Sequence, residues 1–385
     1  MAEPTPLARH LMRMIEHNGP MSVATYMAEA LGNPQHGYYT TGQPFGRDGD
    51  FITSPEISQI FGELIGLWFA DLWDRMNRPP RIDIVEIGPG RGTLMADLLR
   101  AARKVRGFCA SATVHMVETS PTLQKIQRQS LIGEDDLEIK WHSEFSAITQ
   151  KSDAPLFLIA NELFDALPIR QFQLCDNGWH ERMVGTLPDP QMNSSGEHPS
   201  LGLVLNPVVE TLDFDARTKN APRGAVLELS SASEGLIEDI SRHLLATGGV
   251  ALFFDYGPAA SSLGDSLQAV RKHEYVPIFA EPGKVDLTAH VNFARLAAQA
   301  RQVGGMVYGP CPQGAFLREI GIEQRAAQLI RGASASQKQE IESAVTRLIS
   351  PQQMGSLFKA MAVTAPGTPA PAGFPTTGSA SLQSR

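Results

Sequence analysis

Residues 84–94, Ile-Val-Glu-Ile-Gly-Pro-Gly-Arg-Gly-Thr-Leu, place three glycines at alternate positions directly behind an apolar run. Few short stretches restrict a fold as strongly. Ile82, Ile84, Val85 and Ile87 predict a buried strand, and Leu94, Met95, Leu98 and Leu99 give the helix that follows its core face. Between them, Gly88, Gly90 and Gly92 remove side chains where a ligand must touch backbone. A strand, a glycine turn and a helix in this order form the ligand-binding corner of an open α/β sheet.

The corner lacks the dinucleotide fingerprint, because the sixth position of Gly-x-Gly-x-x-Gly, counted from Gly88, is Thr93. The run is instead Glu86-x-Gly88-Pro89-Gly90-x-Gly92. An acidic residue at a strand end suits a ligand ammonium. The helix N-terminus beyond Gly92 suits a ligand carboxylate, through its unpaired N–H groups and positive dipole end. S-adenosylmethionine carries both groups in its amino-acid part. A second strand, Thr113 to Val117, ends at Glu118, where a carboxylate accepts ribose hydroxyls. A third, Leu137 to Trp141, is followed by His142, Ser143, Glu144 and Phe145, a carboxylate and a ring suited to an adenine amino group and face. Solvated carboxylates at strand ends are the alternative reading of Glu118 and Glu144.

The chain has 385 residues, 42% of them apolar, enough for one large α/β core with substantial additions or for two domains. No apolar stretch approaches membrane-spanning length, and the amino terminus lacks a secretion signal, so membrane insertion is not expected and a cytoplasmic location is. Cys109, Cys175 and Cys311 are widely separated, in no metal-ligand spacing, and read as reduced structural thiols; no metal site is expected. A net charge of −8 gives no basic footprint for nucleic acid. Homodimerisation is compatible with the chain but not legible in it.

Leu7, Leu11, Met14 and Ile15 predict a first helix, and residues 1–78 are expected to form a helical cap. Residues 79–184 and 222–260 are assigned to the cofactor-binding core, with an inserted hairpin-like segment over 185–221. Its strands are Trp179 to Val184 and Leu201 to Val209. Alternation resumes with a strand at Ala225 to Leu229, a helix at Glu234 to Leu245 and an apolar strand at Val250 to Phe254. Residues 261–300 form an insert or lid, 301–361 complete the core, and 362–385, rich in Ala, Pro, Gly, Thr and Ser, read as a disordered tail. The expected class is α/β, a doubly wound Rossmann-like sheet with a helical N-terminal segment and inserted elements for substrate or partner.

Catalysis belongs outside the carboxyl ends of the strands. Leu156 to Ala160 predicts a strand running into Asn161-Glu162-Leu163-Phe164-Asp165-Ala166-Leu167-Pro168, an amide and two carboxylates that call for a cationic partner. Turn organisation and helix capping are the plainer reading of Asn161 and Asp165. Ahead of the glycine turn, the turn-rich loop Phe45–Phe51 leads to Ser54-Pro55-Glu56, read as an N-cap, a first-turn proline and an early acid, with a role over the cofactor as the alternative. The helix it opens carries Ile57, Ile60, Phe61, Leu64, Ile65, Trp68, Phe69 and Leu72 on one stripe. His290, within Thr-Ala-His-Val-Asn-Phe, is read as structural or as ordering a substrate loop, and not as the base.

Six segments together resemble the MidA-like class I methyltransferases, a family that includes a mitochondrial arginine methyltransferase needed for respiratory complex I assembly. They are His36-Gly37-Tyr38-Tyr39, residues 49–56, residues 86–94, residues 161–168, Asp255-Tyr256-Gly257 and residues 286–293. The resemblance spans roughly Met14 to Leu348. Asn292 departs from it, since many members have Asp there, so no charge-dependent role is expected at that position. The resemblance implies S-adenosylmethionine as cofactor, held by Glu86, Gly88, Pro89, Gly90, Gly92, Glu118, Glu144, Phe145 and Ser54. It also implies a protein substrate, a complex I core subunit methylated on arginine. Glu162 and Asp165, beside Asn161, would then hold the guanidinium in a fork. A small-molecule methyltransferase and a non-catalytic assembly factor are the competing readings.

Overall fold

The computed structural model describes residues 3–41, 53–134, 136–187, 200–210, 218, 220–272 and 274–375. The turn-rich loop at 45–51 and the loop at 188–199 lie outside them. Contacts divide the chain into a core unit, Ile52–Leu163 with Leu236–Ala260 and Val291–Arg385, and a second unit, Met1–Phe51 with Phe164–Gly235 and Ser261–His290.

The core unit is built on seven strands, numbered here with the others in chain order: β2 (Ile82–Ile87), β3 (Ala112–Val117), β4 (Glu138–His142), β5 (Leu156–Asn161), β10 (Gly249–Tyr256), β14 (Met306–Pro312) and β15 (Phe358–Thr364). Their order across the sheet is β14-β15-β10-β5-β2-β3-β4. From β10 to β4 every pairing is parallel, whereas β15 runs antiparallel to both β10 and β14. This is the predicted doubly wound sheet. The chain steps from β2 outward to β3 and β4, then returns to β5 on the other side, so the reversal point lies between β2 and β5. Residues of β2, β5 and β10 are buried throughout, as sheets covered on both faces require.

One face of the sheet, with Ile82, Ile84, Val114, Met116, Phe157 and Ile159, packs in a single apolar cluster with the helices Gln59–Arg75 and Thr93–Ala102. Those helices meet closely because Gly62 and Gly66 carry no Cβ: at Gly66 one would come within 2.3 Å of the Leu98 carbonyl oxygen. The predicted amphipathic stripe is correct, but the helix is not continuous from Ser54. A short turn, Ser54–Ile57, has Thr53 at its N-cap position, and extended backbone at Ser58 separates it from the long helix, whose Ile60 N–H donates to Ser58 Oγ at 3.2 Å. Ser58 is thus the capping serine, in place of Ser54. Among the described residues, no helix is long and apolar enough to cross a membrane.

The C-terminal boundary also needs correction. Residues 362–364, assigned to a disordered tail, are fully or almost fully buried in β15, where small side chains fit a strand flanked on both sides. Beyond it, Trp68 Nε1 donates to the Ala372 carbonyl at 2.9 Å, and Phe374 packs on Phe316 at 5.0 Å between centroids. Polar backbone and one aromatic anchor this apolar-poor segment as far as Pro375.

The second unit has its own core, with Leu7, Leu11, Ile15, Tyr26, Val184, Leu201 and Leu287 in one cluster. Its helices Pro6–Asn18 and Val23–Gly32 match the expected N-terminal start, but the 1–78 cap does not hold together, because the turn at Ser54 and the helix Gln59–Arg75 belong to the core unit. The strands β1 (Met21–Ser22), β7 (Gly178–Leu187), β6 (Arg170–Cys175) and β9 (Val226–Leu229) make an antiparallel sheet, with β8 (Ser200–Glu210) on β7. Residues 164–184 and β9 therefore leave the predicted core. Likewise, 261–290 adds a small sheet, β12 (Glu274–Val276), β11 (Gln268–Arg271) and β13 (Asp286–Thr288), to this unit, while 291–300 returns to the core.

Candidate active site

The glycine corner lies where β2 ends. Gly88, Gly90 and Gly92 all have positive φ, at +69°, +52° and +81°, so the turn needs residues that tolerate left-handed backbone. At Gly92 a Cβ would also meet the Gln127 backbone at 3.3 Å. Gly92 is the N-cap of the helix Thr93–Ala102 and offers no side-chain cap, which leaves first-turn N–H groups for a ligand anion. Pro89 is buried under the turn. Thr93, at the position where a dinucleotide motif has glycine, donates its hydroxyl to Glu56 Oε1 at 2.5 Å.

Two carboxylates follow at the strand ends. Glu86 is 3% exposed, and burial pushes its carboxyl well above the usual range, reinforced by the nearby charge of Glu118 and opposed by a bond from the Met95 N–H. Its Oε2 is buried with no hydrogen-bond partner among the described residues. A lone buried acid of this kind is stabilised by a cation. Glu118 is also raised by burial, but it is well anchored: Ser120 N–H donates to Oε1 at 2.7 Å and Gln127 Nε2 to Oε2 at 3.1 Å. Gln127 further donates to the Gly90 carbonyl at 2.9 Å and accepts from Trp141 Nε1 at 3.0 Å. A single buried amide thus joins the glycine turn, the β3 carboxylate and β4.

Beyond β4, Glu144 is exposed. Phe145 is not: its ring is buried edge-on against His243, 6.0 Å between centroids.

At the end of β5, Asn161 and Glu162 stand beside Ser54. Ser54 N–H donates to Glu162 Oε1 at 3.0 Å, and Asn161 Nδ2 to the same oxygen at 3.1 Å. Ser54 Oγ and Asn161 Oδ1 are buried and have no partner among the described residues. Glu162 has φ +53°, a conformation that costs a non-glycine residue free energy and that clusters at functional sites. Asp255 fixes it from the neighbouring strand, because its Oδ2 accepts the Leu163 N–H at 3.1 Å and its Oδ1 the Tyr256 N–H at 2.9 Å.

Asp165 belongs to the second unit. There it lies with Tyr39 and Asp286: the Tyr39 hydroxyl donates to Asp286 at 2.9 and 3.1 Å, and burial, then the charges of Asp286 and Asp165, push its phenol well above the usual range. His290 is exposed, with its N–H on Ser266 Oγ at 2.9 Å. Asn292 is the N-cap of the helix Phe293–Val303 and accepts the Arg295 N–H at 3.2 Å. Asn and Asp serve that position equally well, which accounts for the departure noted above.

Sequence reasoning missed Gln127 and the backbone of Glu162, and singled out Asp255 only within a motif, without a role. A glutamine one helical segment beyond a strand-end carboxylate carries no local signal, and a left-handed glutamate is invisible in composition.

A seven-stranded sheet in this order, with a side-chain-free turn and carboxylates at the ends of β2 and β3, defines an S-adenosylmethionine-dependent methyltransferase. The chain belongs to that family: residues 64–311 match the family model described as S-adenosyl-L-methionine-dependent methyltransferase. It is 35% identical over 378 residues to the mitochondrial protein arginine methyltransferase NDUFAF7 homolog of Drosophila melanogaster, covering 93% of this chain and 84% of that one. The Homo sapiens protein arginine methyltransferase NDUFAF7 is 34% identical, with coverage of 93% and 83%. Among solved structures, a COG1565 superfamily member from Burkholderia thailandensis bound to S-adenosyl-homocysteine superposes with a TM-score of 0.80 at 25% identity, covering 97% of each chain. The orphaned Glu86 oxygen and the open helix N-terminus fit the two charged groups of this cofactor's amino-acid end.

Proposed function

We propose that the chain is a protein-arginine N-methyltransferase whose substrate is a respiratory complex I core subunit. The observation that carries this reading is Glu162, a carboxylate held in left-handed backbone at the reversal point of the sheet by the Ser54 N–H and the Asn161 amide. A carboxylate fixed there suits a guanidinium, which binds carboxylates through paired N–H donors. The names of the relatives, protein arginine methyltransferases, support the same substrate class.

S-adenosylmethionine supplies an electrophilic methyl on a sulfonium. The residues of this chain supply position. Glu86 and the helix N-terminus at Gly92 hold the amino-acid end, Glu118 the ribose, and Glu144 the adenine amino group. Glu162 would orient one guanidino nitrogen and take up the proton that this nitrogen sheds on gaining the methyl, with S-adenosylhomocysteine leaving as the sulfonium–methyl bond breaks. Alignment of this kind supplies about 7–11 kcal/mol of a barrier in favourable cases. The Asp165 carboxylate is tested by itself: with Asp165→Asn, cofactor binding at the parent level and a loss of transfer would give it a part in the reaction, and a parent rate would remove it.

The test is mass spectrometry of complex I core subunits prepared with and without this protein. An arginine methylated only in its presence supports the reading. An unchanged arginine pattern, with label from the cofactor appearing in small molecules, replaces it with a metabolite methyltransferase.

A further inference from the structure

A line of buried polar side chains crosses the other face of the central sheet. His115 on β3 stands opposite Val85, two residues from Asp83 on β2, and His142 on β4 stands opposite Val117, two residues from His115. All three side chains therefore share a face. Asp83 Oδ1 lies 3.2 Å from His115 Nε2, and His115 Nδ1 lies 2.9 Å from His142 Nε2. Asp83 and His115 are buried; His142, at the strand end, is half-buried.

The two facing ring nitrogens hold one proton between them. With both rings neutral, His115 Nε2–H donates to Asp83, its Nδ1 accepts, and His142 Nε2–H is the donor. One added proton preserves the bridge, since the gap still holds a single N–H whichever ring carries the charge. A second added proton puts N–H groups on both sides of the 2.9 Å gap, and the bridge breaks. What it holds is the end of β4, where the His142 carbonyl accepts the Glu118 N–H at 2.9 Å and the segment Ser143–Phe145 begins.

We propose that His142 is a positioning residue for the cofactor site. Bridged to His115, its ring keeps the end of β4 against Glu118, and double protonation of the pair releases that end and weakens cofactor binding. This rests on the assignment of Glu118 to the ribose. The groups facing the pair set the direction. Burial, then the charges of His115, Lys151 and Lys140, lower the proton affinity of His142 below the ordinary histidine value. His243, from the helix Ser231–Thr247, faces Asp83, and burial lowers its proton affinity too. Burial opposes the ionisation of Asp83, but hydrogen bonds from His115 and Ser152 outweigh it and hold the carboxyl below its usual range. Release therefore falls on the acid side of about pH 6.5.

Titration of the full-length protein with S-adenosylhomocysteine across this range tests it. The parent should lose affinity on acidification with a limb of up to about tenfold per pH unit, the limit for one linked proton. In His142→Gln, whose amide can donate or accept toward His115, the limb should be shallower by that proton, whatever the affinity at neutral pH. An equal slope in the two proteins overturns the proposal. Nitrogen-15 histidine spectra of the parent give a second reading, since the bridged resonances should change over the same pH range as the affinity; a bridge that persists while affinity falls also overturns it. Glu118→Ala separates the two assignments, because parent-level binding there removes the ribose reading while the slope comparison still decides the role of His142.

Discussion

Ser54 donates its backbone N–H to Glu162 Oε1 at 3.0 Å, joining the turn ahead of the glycine corner to the carboxylate at the end of β5. This bond holds an acid on backbone that disfavours it, with φ +53°. Replacing Glu162 by glycine or alanine removes the carboxylate in both cases, but only glycine relieves the backbone. Glu162→Gly should be more stable than Glu162→Ala by about 1–2 kcal/mol in urea unfolding, and neither should transfer methyl groups. Equal stabilities would show that the backbone at 162 relaxes.

Glu86 makes stability depend on pH. Its proton affinity is raised in the folded state, so its stabilising contribution is fully present below the unfolded carboxyl value of 4.5 and is lost as pH rises through the higher folded value. Glu86→Gln, which needs no proton, should unfold at a higher denaturant concentration than the parent once pH exceeds 4.5, with the gap widening until pH passes the folded value and constant beyond it. The same variant should bind S-adenosylhomocysteine more weakly, having lost the partner of the ammonium. Unfolding series over pH, without cofactor, give the first result and calorimetry the second.

The glycine corner was legible because its chemistry is local: Glu86, the alternate glycines and the apolar flanks are adjacent in sequence. The strand ends at Glu118 and Asn161 followed from apolar runs with clear limits. Other features depend on distant partners. Ser54 reads as a cap until the extended backbone at Ser58 shows where the long helix starts. Ala362, Val363 and Thr364 read as tail because small residues do not advertise a strand between β10 and β14. Residues 170–175 fell within the assigned core with no strand of their own, and the strand at Ala225–Leu229 read as part of the parallel sheet, because an apolar pattern carries neither direction nor partner.

Gln127 should matter more than a surface amide. It is fully buried and joins Gly90, Glu118 and Trp141, so Gln127→Leu leaves Trp141 Nε1 without its acceptor. The expected cost is about 1–3 kcal/mol of stability, measured by denaturant unfolding, together with weaker cofactor binding. Unchanged affinity would separate the Glu118 position from this amide.

Gly66 tests the packing that carries the cofactor helix. A methyl there would come within 2.3 Å of the Leu98 carbonyl oxygen, against backbone that cannot turn aside. Gly66→Ala should destabilise by about 1–3 kcal/mol, and thermal unfolding will show it. At Gly235, where a Cβ meets nothing within 4 Å, alanine should be neutral or stabilising in the same assay.

The most direct test of the whole account is transfer from methyl-labelled S-adenosylmethionine to purified complex I core subunits, followed by acid hydrolysis and identification of the labelled amino acid. The account predicts labelled methylarginine with the parent protein and none with Glu162→Gln, although that variant still binds S-adenosylhomocysteine. Label on another amino acid, or undiminished methylarginine with Glu162→Gln, would contradict it.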